Sequence, residues 1–281
     1  VTKIEWTEKT WNPVGGCTRA SSGCDHCYAA EMSLRLEGMA LAKQAKGEAV
    51  PASLAKYIGV SGRTKQGVAA FNGKINLDWE ALNEPLKWRK PMMVFPFSMS
   101  DAFHRSIPDE FLNAVFGVIA KTPHITYQVL TKRPDRALEY QREYWPEGLP
   151  ANVWLMTSTE NQETYDERVP YLVQVKAAVR GLSMEPLLGH VELGLLGTLP
   201  NTISNRYALL RDKLHWIVLG GESGRRARPM KPEWARSVRD ECIEADVAYF
   251  FKQWGGTNKK ATGRLLDGRE WSQYPEVHHG K

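Results

Sequence analysis

Three of the four cysteines of the chain fall in one short stretch, Trp11-Asn12-Pro13-Val14-Gly15-Gly16-Cys17-Thr18-Arg19-Ala20-Ser21-Ser22-Gly23-Cys24-Asp25-His26-Cys27-Tyr28, at the spacing C-x6-C-x2-C. A C-x2-C pair on a turn brings two sulfurs within reach of one metal centre, and the arc containing Gly23 lets Cys17 join from another side. A helix is expected from Tyr28 to Leu36, directly after the last cysteine, and its N-terminus adds partial positive charge that steadies an anionic cluster. Three readings compete. Structural zinc wants four closed ligands: Cys17, Cys24 and Cys27 with His26 or Asp25. An iron–sulfur cluster held by three thiolates leaves one iron open for an exogenous ligand. Three unrelated core cysteines are the third reading, and their concentration argues against it. No fourth cysteine follows nearby, and the loop comes after the first candidate strand, where barrel enzymes place their chemistry. Both points favour the iron–sulfur cluster. Cys242 lies on the apolar stripe of a later helix and is expected in the core.

A second set of polar residues ends the apolar runs of the chain: Ser98, Ser100 and Asp101; Thr131, Lys132 and Arg133; Thr157, Ser158 and Glu160; Ser183 and Glu185; Gly221, Glu222 and Ser223; Lys252 and Gln253. In a (βα) barrel such tips converge on one face. The turn Gly220-Gly221-Glu222-Ser223-Gly224 resembles a phosphate-binding glycine turn but lacks the lysine of a P-loop.

The elements that must position these groups are six buried strands: 92–97, 125–130, 152–156, 178–182, 215–219 and 247–251. They are near-continuous apolar runs, as expected of strands buried on both faces of a parallel sheet. Pro96 hints at an edge or a bulge. Helical patterns lie between them, one opening at Ser106 with Pro108 and Asp109 in its first turn, another carrying Trp234, Val238, Cys242 and Ala245. Two weaker strands, around Thr10 to Gly16 and Phe71 to Leu77, would bring the total to eight. Repeating βα units predict a partial or complete (βα) barrel of six to eight parallel strands, with a doubly wound open sheet as the alternative. A single α/β domain spans 1–281, with an insertion at 38–70, a longer connection at 189–212 and a C-terminal extension at 255–281.

Composition sets outer limits. The 281 residues are 42% hydrophobic and 25% charged, which excludes wholesale disorder. The sequence has no apolar run long enough to span a bilayer, and its first residues lack a signal-peptide core, so a soluble cytoplasmic protein is expected. In that compartment clustered cysteines are metal or redox ligands, and a secreted disulfide scaffold is excluded. The net charge of +5 is patchy. Arg225, Arg226, Arg228, Lys259 and Lys260 belong to basic stretches interleaved with Trp234, Tyr249 and Trp254, which could track a phosphate backbone and stack bases. The same residues fit a solvated basic face equally well.

The cysteine loop resembles the cluster-binding loop of the radical S-adenosylmethionine (radical SAM) superfamily, in which three cysteines follow the first strand of a (βα) barrel. Six residues separate Cys17 from Cys24 where three are usual there. The whole chain resembles an uncharacterised phage and bacterial family carrying a three-cysteine motif. The blocks are Trp11-Asn12-Pro13, Ser98-Met99-Ser100-Asp101, Leu130-Thr131-Lys132-Arg133-Pro134, Ser183-Met184-Glu185-Pro186-Leu187, Gly220-Gly221-Glu222-Ser223-Gly224 and Phe251-Lys252-Gln253-Trp254-Gly255. The superfamily likeness implies that Cys17, Cys24 and Cys27 hold a 4Fe-4S cluster whose open iron binds S-adenosylmethionine. Reductive cleavage to a 5′-deoxyadenosyl radical would then act on a substrate, with nucleic-acid modification or repair as the class suggested by the charge. An external electron donor is implied, and a separately encoded partner protein is compatible. Asp101, Glu160, Glu185 and Glu222 would accept from the cofactor's amino and ribose groups, with Ser98, Ser100 and Ser158 as neutral partners and Lys132 facing its carboxylate. Two other functions remain open at this point: a zinc-stabilised nucleic-acid-binding protein, and an iron–sulfur redox protein without S-adenosylmethionine chemistry.

Overall fold

The structure is a computed structural model that describes residues 2, 4–194 and 210–276, excluding the side chains of Lys259 and Lys260. The chain is mixed α/β. Its main sheet has seven strands in chain order: β1 (Lys9–Trp11), β6 (Met92–Pro96), β7 (Ile125–Thr131), β8 (Val153–Ser158), β9 (Val179–Met184), β10 (Trp216–Gly220) and β11 (Ala248–Gln253). A doubly wound sheet reverses its strand order at a switch point. This one never does, and its order is that of a partial (βα) barrel. Two small antiparallel pairs stand apart: β2 (Val14–Gly15) with β5 (Asn76–Leu77), and β3 (Ser61–Arg63) with β4 (Ala69–Phe71).

The expected eighth strand is therefore absent from the main sheet. The segment 71–77 is broken by Gly73, at φ +94°, and by Asn72, whose side chain accepts from the Lys74 N–H. What is left on either side pairs antiparallel outside the main sheet, Phe71 within β4 and Asn76–Leu77 as β5. The expected strand at 10–16 likewise breaks at Asn12-Pro13 into β1 and β2, since proline has no N–H to give a ladder. Pro96 ends β6, and its neighbour Phe97 adopts φ +59° while fully buried.

The fold divides into two compact units, Val1–Thr131 with Pro150–Val153, and Lys132–Leu149 with Trp154–Lys281. In the first, β1, β6 and β7 pair in parallel. Helix α1 (Tyr28–Ala45) follows the cysteine loop, then the single turn α2 (Ala52–Ala55) and, after β6, α3 (Asp109–Ala120). Helix α1 runs well past Gly38, because Ala40, Leu41 and Ala42 are strong helix formers even where periodicity is weak. Later residues pack back on it: Tyr57 and Met99 bury Ala29, with Cys27, Leu36 and Phe71 alongside. Helix α3 starts at Asp109 with Pro108 as its N-cap, so Ser106 is not the cap; its N–H donates instead to His104 Nδ1.

In the second unit, β9 pairs in parallel with β8 and β10, and β10 with β11. Every residue of β10 is buried. Helices α4 (Pro134–Tyr144), α5 (Gln162–Leu172) and α6 (Pro232–Glu244) belong here, α5 opening on an Asn161–Thr164 capping box. Cys242 is fully buried on α6, and burial pushes its thiol pKa up, as a core cysteine requires. The tail pairs with the edge of β11: Phe251 N–H donates to Trp271 O and Gln273 N–H to Tyr249 O. Of the longer connection expected at 189–212, residues 195–209 lie outside the described residues, as do residues 277–281 of the C-terminal extension. Among the described residues no helix is long and apolar enough to cross a membrane.

Candidate functional site

The cysteine loop leaves the C-terminal end of β1 and is pinned from three sides, all within the first unit. Its base rests on a buried ion pair, Lys56 Nζ to Asp78 Oδ2 at 2.9 Å, with side chains 7% and 2% exposed. The same ammonium donates to Asn12 O, and Asp78 Oδ1 accepts the Ala81 N–H. Trp11 Nε1 donates to Ala81 O at 2.8 Å. Gly15 and Gly16 are demanded by this closeness: a Cβ on Gly15 would lie 2.4 Å from Lys56 O, and one on Gly16 2.0 Å from Lys74 O at φ +102°. Burial, helped by the Asp78 charge, pushes the Tyr57 phenol above its usual range.

The side facing β6 is joined through Asn12, whose Oδ1 accepts from Ser98 Oγ and from the Met99 N–H, both at 3.1 Å. Tyr28 OH, on the first residue of α1, donates to Ser98 O at 2.6 Å. Buried His104 meets Thr18 Oγ1 through Nε2 at 2.9 Å. Since His104 Nδ1 accepts a backbone N–H, the proton of the neutral ring sits on Nε2 and is given to Thr18. Asp101 accepts the Phe103 N–H and, at 2.7 Å, the Thr131 hydroxyl. Among the described residues Ser100 Oγ is buried without a hydrogen-bond partner.

Cys17 follows β2, Cys24 closes a 3-10 turn (Ser22–Cys24), and Cys27 is the N-cap of α1. All three are partly exposed, and none of the four cysteines forms a disulfide. Asp25, a candidate fourth zinc ligand, is paired with Arg19 at 2.7 Å. Among the described residues no three His, Cys, Asp or Glu side chains gather closely enough to hold a metal ion. The donor set itself, three accessible thiols on eleven residues of loop, fits a soft metal or an iron–sulfur cluster.

The remaining expected site residues, Lys132, Ser158, Glu160, Glu185 and Glu222, lie in the second unit. Each carboxylate there has its own cation. Glu160, fully buried, takes Lys132 at 3.1 Å and Arg168 at 3.1 Å, and Arg168 also donates to Ser158 O. Glu185 takes Lys252 Nζ at 2.8 Å on both oxygens and Gln253 Nε2 at 3.2 Å. Glu222 takes the Arg228 guanidinium at 2.6 Å. A ligand amino group meeting these acids would share them with a resident cation. Interlocked loops carry them: Gly256 N–H donates to Glu222 O, Gly221 N–H to Gln253 O, and a Cβ on Gly221 would lie 2.1 Å from Trp254 O.

A family described as "Protein of unknown function (DUF5131)" matches residues 1–275, nearly the whole length. The chain belongs to that family. No curated protein and no solved structure matches it. The DUF5131 description names no cofactor and no cysteine motif, so the likeness to radical SAM enzymes rests on the loop residues alone. Asn12, His104 and Arg168, which hold the expected site residues in place, carry no motif or spacing of their own. Asn12 sits inside a block already quoted for its resemblance, and His104 follows Asp101 by three positions; those are the only sequence signals. Of the basic residues expected to meet nucleic acid, Arg225 and Arg226 are exposed, whereas Arg228 is the counter-ion of Glu222. The side chains of Lys259 and Lys260 lie outside the described residues.

Proposed function

We propose that this DUF5131 protein is an iron–sulfur enzyme of the radical SAM type, with Cys17, Cys24 and Cys27 as the protein ligands of a 4Fe-4S cluster and a nucleic acid as substrate. The observation that carries the reading is the loop: three accessible thiols between the C-terminal end of β1 and the N-terminus of an eighteen-residue helix, with Cys27 as the cap. S-adenosylmethionine, bound at such a cluster, supplies reductive carbon–sulfur cleavage and hydrogen abstraction. The chain's own residues hold and shield. The helix start steadies negative charge. Asn12, Ser98 and Tyr28 fasten the loop to the end of β6, and His104 fixes Thr18 beside Cys17. Gathering the thiols couples metal loading to the folding of residues 17–27. Phe97, buried at positive φ immediately before Ser98, is backbone strain of the kind concentrated at functional sites. Arg225 and Arg226 are the residues that would meet the substrate's phosphates, and reducing equivalents come from an external donor.

Anaerobic purification followed by iron and sulfide analysis tests the cluster. Brown protein with matching iron and sulfide, forming 5′-deoxyadenosine from S-adenosylmethionine under reduction, is the expected result, with Cys24→Ala losing both. Colourless protein carrying one zinc ion refutes the cluster. Iron without cofactor cleavage leaves a redox protein in its place.

A further inference from the structure

The starts of β1, β6 and β7 carry positive charge that the cysteine loop does not use. Lys9 opens β1; Lys87, Arg89 and Lys90 run up to Met92, where β6 begins; Lys121 and His124 precede Ile125, where β7 begins. These three strands are parallel neighbours. Adjacent strands lie about 4.8 Å apart, so the three groups are set side by side over about 10 Å. They occupy the sheet end opposite to that from which the cysteine loop and Ser98–Asp101 emerge.

Trp88 ties the groups together. Lys9 Nζ lies 3.9 Å from its ring centroid, and His124 Nε2 donates to its carbonyl at 2.9 Å. Lys87, Arg89, Lys90 and Lys121 are exposed, and among the described residues none of them is held in an ion pair. The chain around them is also free of acids: none lies between Glu84 and Asp101, nor between Glu110 and Asp135. Glu8, the acid beside Lys9, is engaged by the Met93 N–H at 2.7 Å. In a (βα) architecture this end carries stability and not chemistry. Stability would be served by pairing Lys87, Arg89, Lys90 and Lys121, and among the described residues these four are in no ion pair.

We propose that this face binds the phosphate backbone of a nucleic acid. A row of mostly lysine point charges about 10 Å long matches about three successive phosphates at the 3.4 Å rise of one strand. The Trp88 ring is half-buried with Lys9 over it, which leaves no open aromatic platform for a base, so the contact is independent of base sequence. The surface does not include Arg225 and Arg226, and the proposal stands whether or not the cysteine loop carries a cluster.

The test is fluorescence anisotropy of the full chain with a labelled duplex of mixed sequence across a salt series. Lys87→Glu/Arg89→Glu/Lys90→Glu is expected to weaken binding at least about tenfold and to flatten the log–log salt slope by about 2.7, the value for three lost phosphate contacts. The milder Lys87→Gln/Arg89→Gln/Lys90→Gln, checked by circular dichroism for intact folding, should move both quantities in the same direction. Arg225→Glu/Arg226→Glu serves as the comparison, and the loss must be present in the triple variant when those arginines are intact. Duplex affinity and slope unchanged in the triple variants overturn the proposal. So does a parent chain that binds phosphatidylserine vesicles, but no duplex, through these same residues.

Discussion

Lys56 and Asp78 show how much of the cysteine loop depends on one pair. Together they hold Asn12 O and the Ala81 N–H. Removing one member leaves the other charged and buried, so Lys56→Met should lower stability by about 3–5 kcal/mol in urea unfolding. Lys56→Met/Asp78→Asn, which keeps an acceptor for Ala81, should recover part of that loss. A double variant no better than the single one would show that the loop does not depend on the pair's charge balance. His215 gives a pH signature. Burial, then the Arg180 guanidinium, push its imidazole down to about 4, and its Nδ1 accepts the Arg180 N–H at 3.0 Å. The unfolded chain therefore binds the proton more readily, at about pH 6.5. Its contribution is complete above pH 6.5 and lost as the pH falls toward 4. Urea midpoints measured over that window should fall, and should fall less in His215→Asn, which keeps an acceptor for the Arg180 N–H. The cysteines, the serines and the carboxylates at the strand ends were legible as residue types. Their partners were not, because Arg168 reaches Glu160 across one turn between elements and Asn12 reaches Ser98 across 86 positions of chain.

Elements were legible to different depths. The six long strands begin and end within about two residues of the apolar runs, because burial on both faces leaves no choice of residue. Short strands were not legible, since β2, β4 and β5 are set by turns and by Asn76, whose amide donates to Lys56 O and Ile58 O. Glycines separate the two cases experimentally. Gly16→Ala, at φ +102° with the Lys74 carbonyl in the way, should cost on the order of 3 kcal/mol or more. Gly38→Ala, inside α1 with nothing within 4 Å, should stabilise by about 0.5–1 kcal/mol. Thermal unfolding of the two variants side by side checks both signs, and equal shifts would deny that the Gly15-Gly16 turn is held by close backbone contact. The blocks at 220–224 and 251–255 read separately in sequence, yet Gly221 and Gly255 are each explained by the other block's backbone.

At the scale of the whole molecule, seven parallel strands in unbroken order leave the last strand with an edge to cover. The tail does this in the second unit: Trp271 packs on Tyr249, Tyr274 on Trp216 and Phe250, and Trp216 Nε1 donates to Gln273 O. Truncation after residue 268 should lower the melting temperature and raise light scattering on heating, and a truncated chain that melts like the full one would deny the tail this role. Local pattern by itself determined the alternation of strand and helix, the concentration of thiols after the first strand and the polar tips, since each follows from burial and spacing within a dozen residues. Tertiary structure alone decided that the sheet has seven strands and not eight, that every strand-end acid in the second unit is matched by a cation, and that basic residues more than a hundred positions apart share one sheet end. Those outcomes depend on which strands become neighbours, and strand neighbours are chosen by the packing of the entire chain.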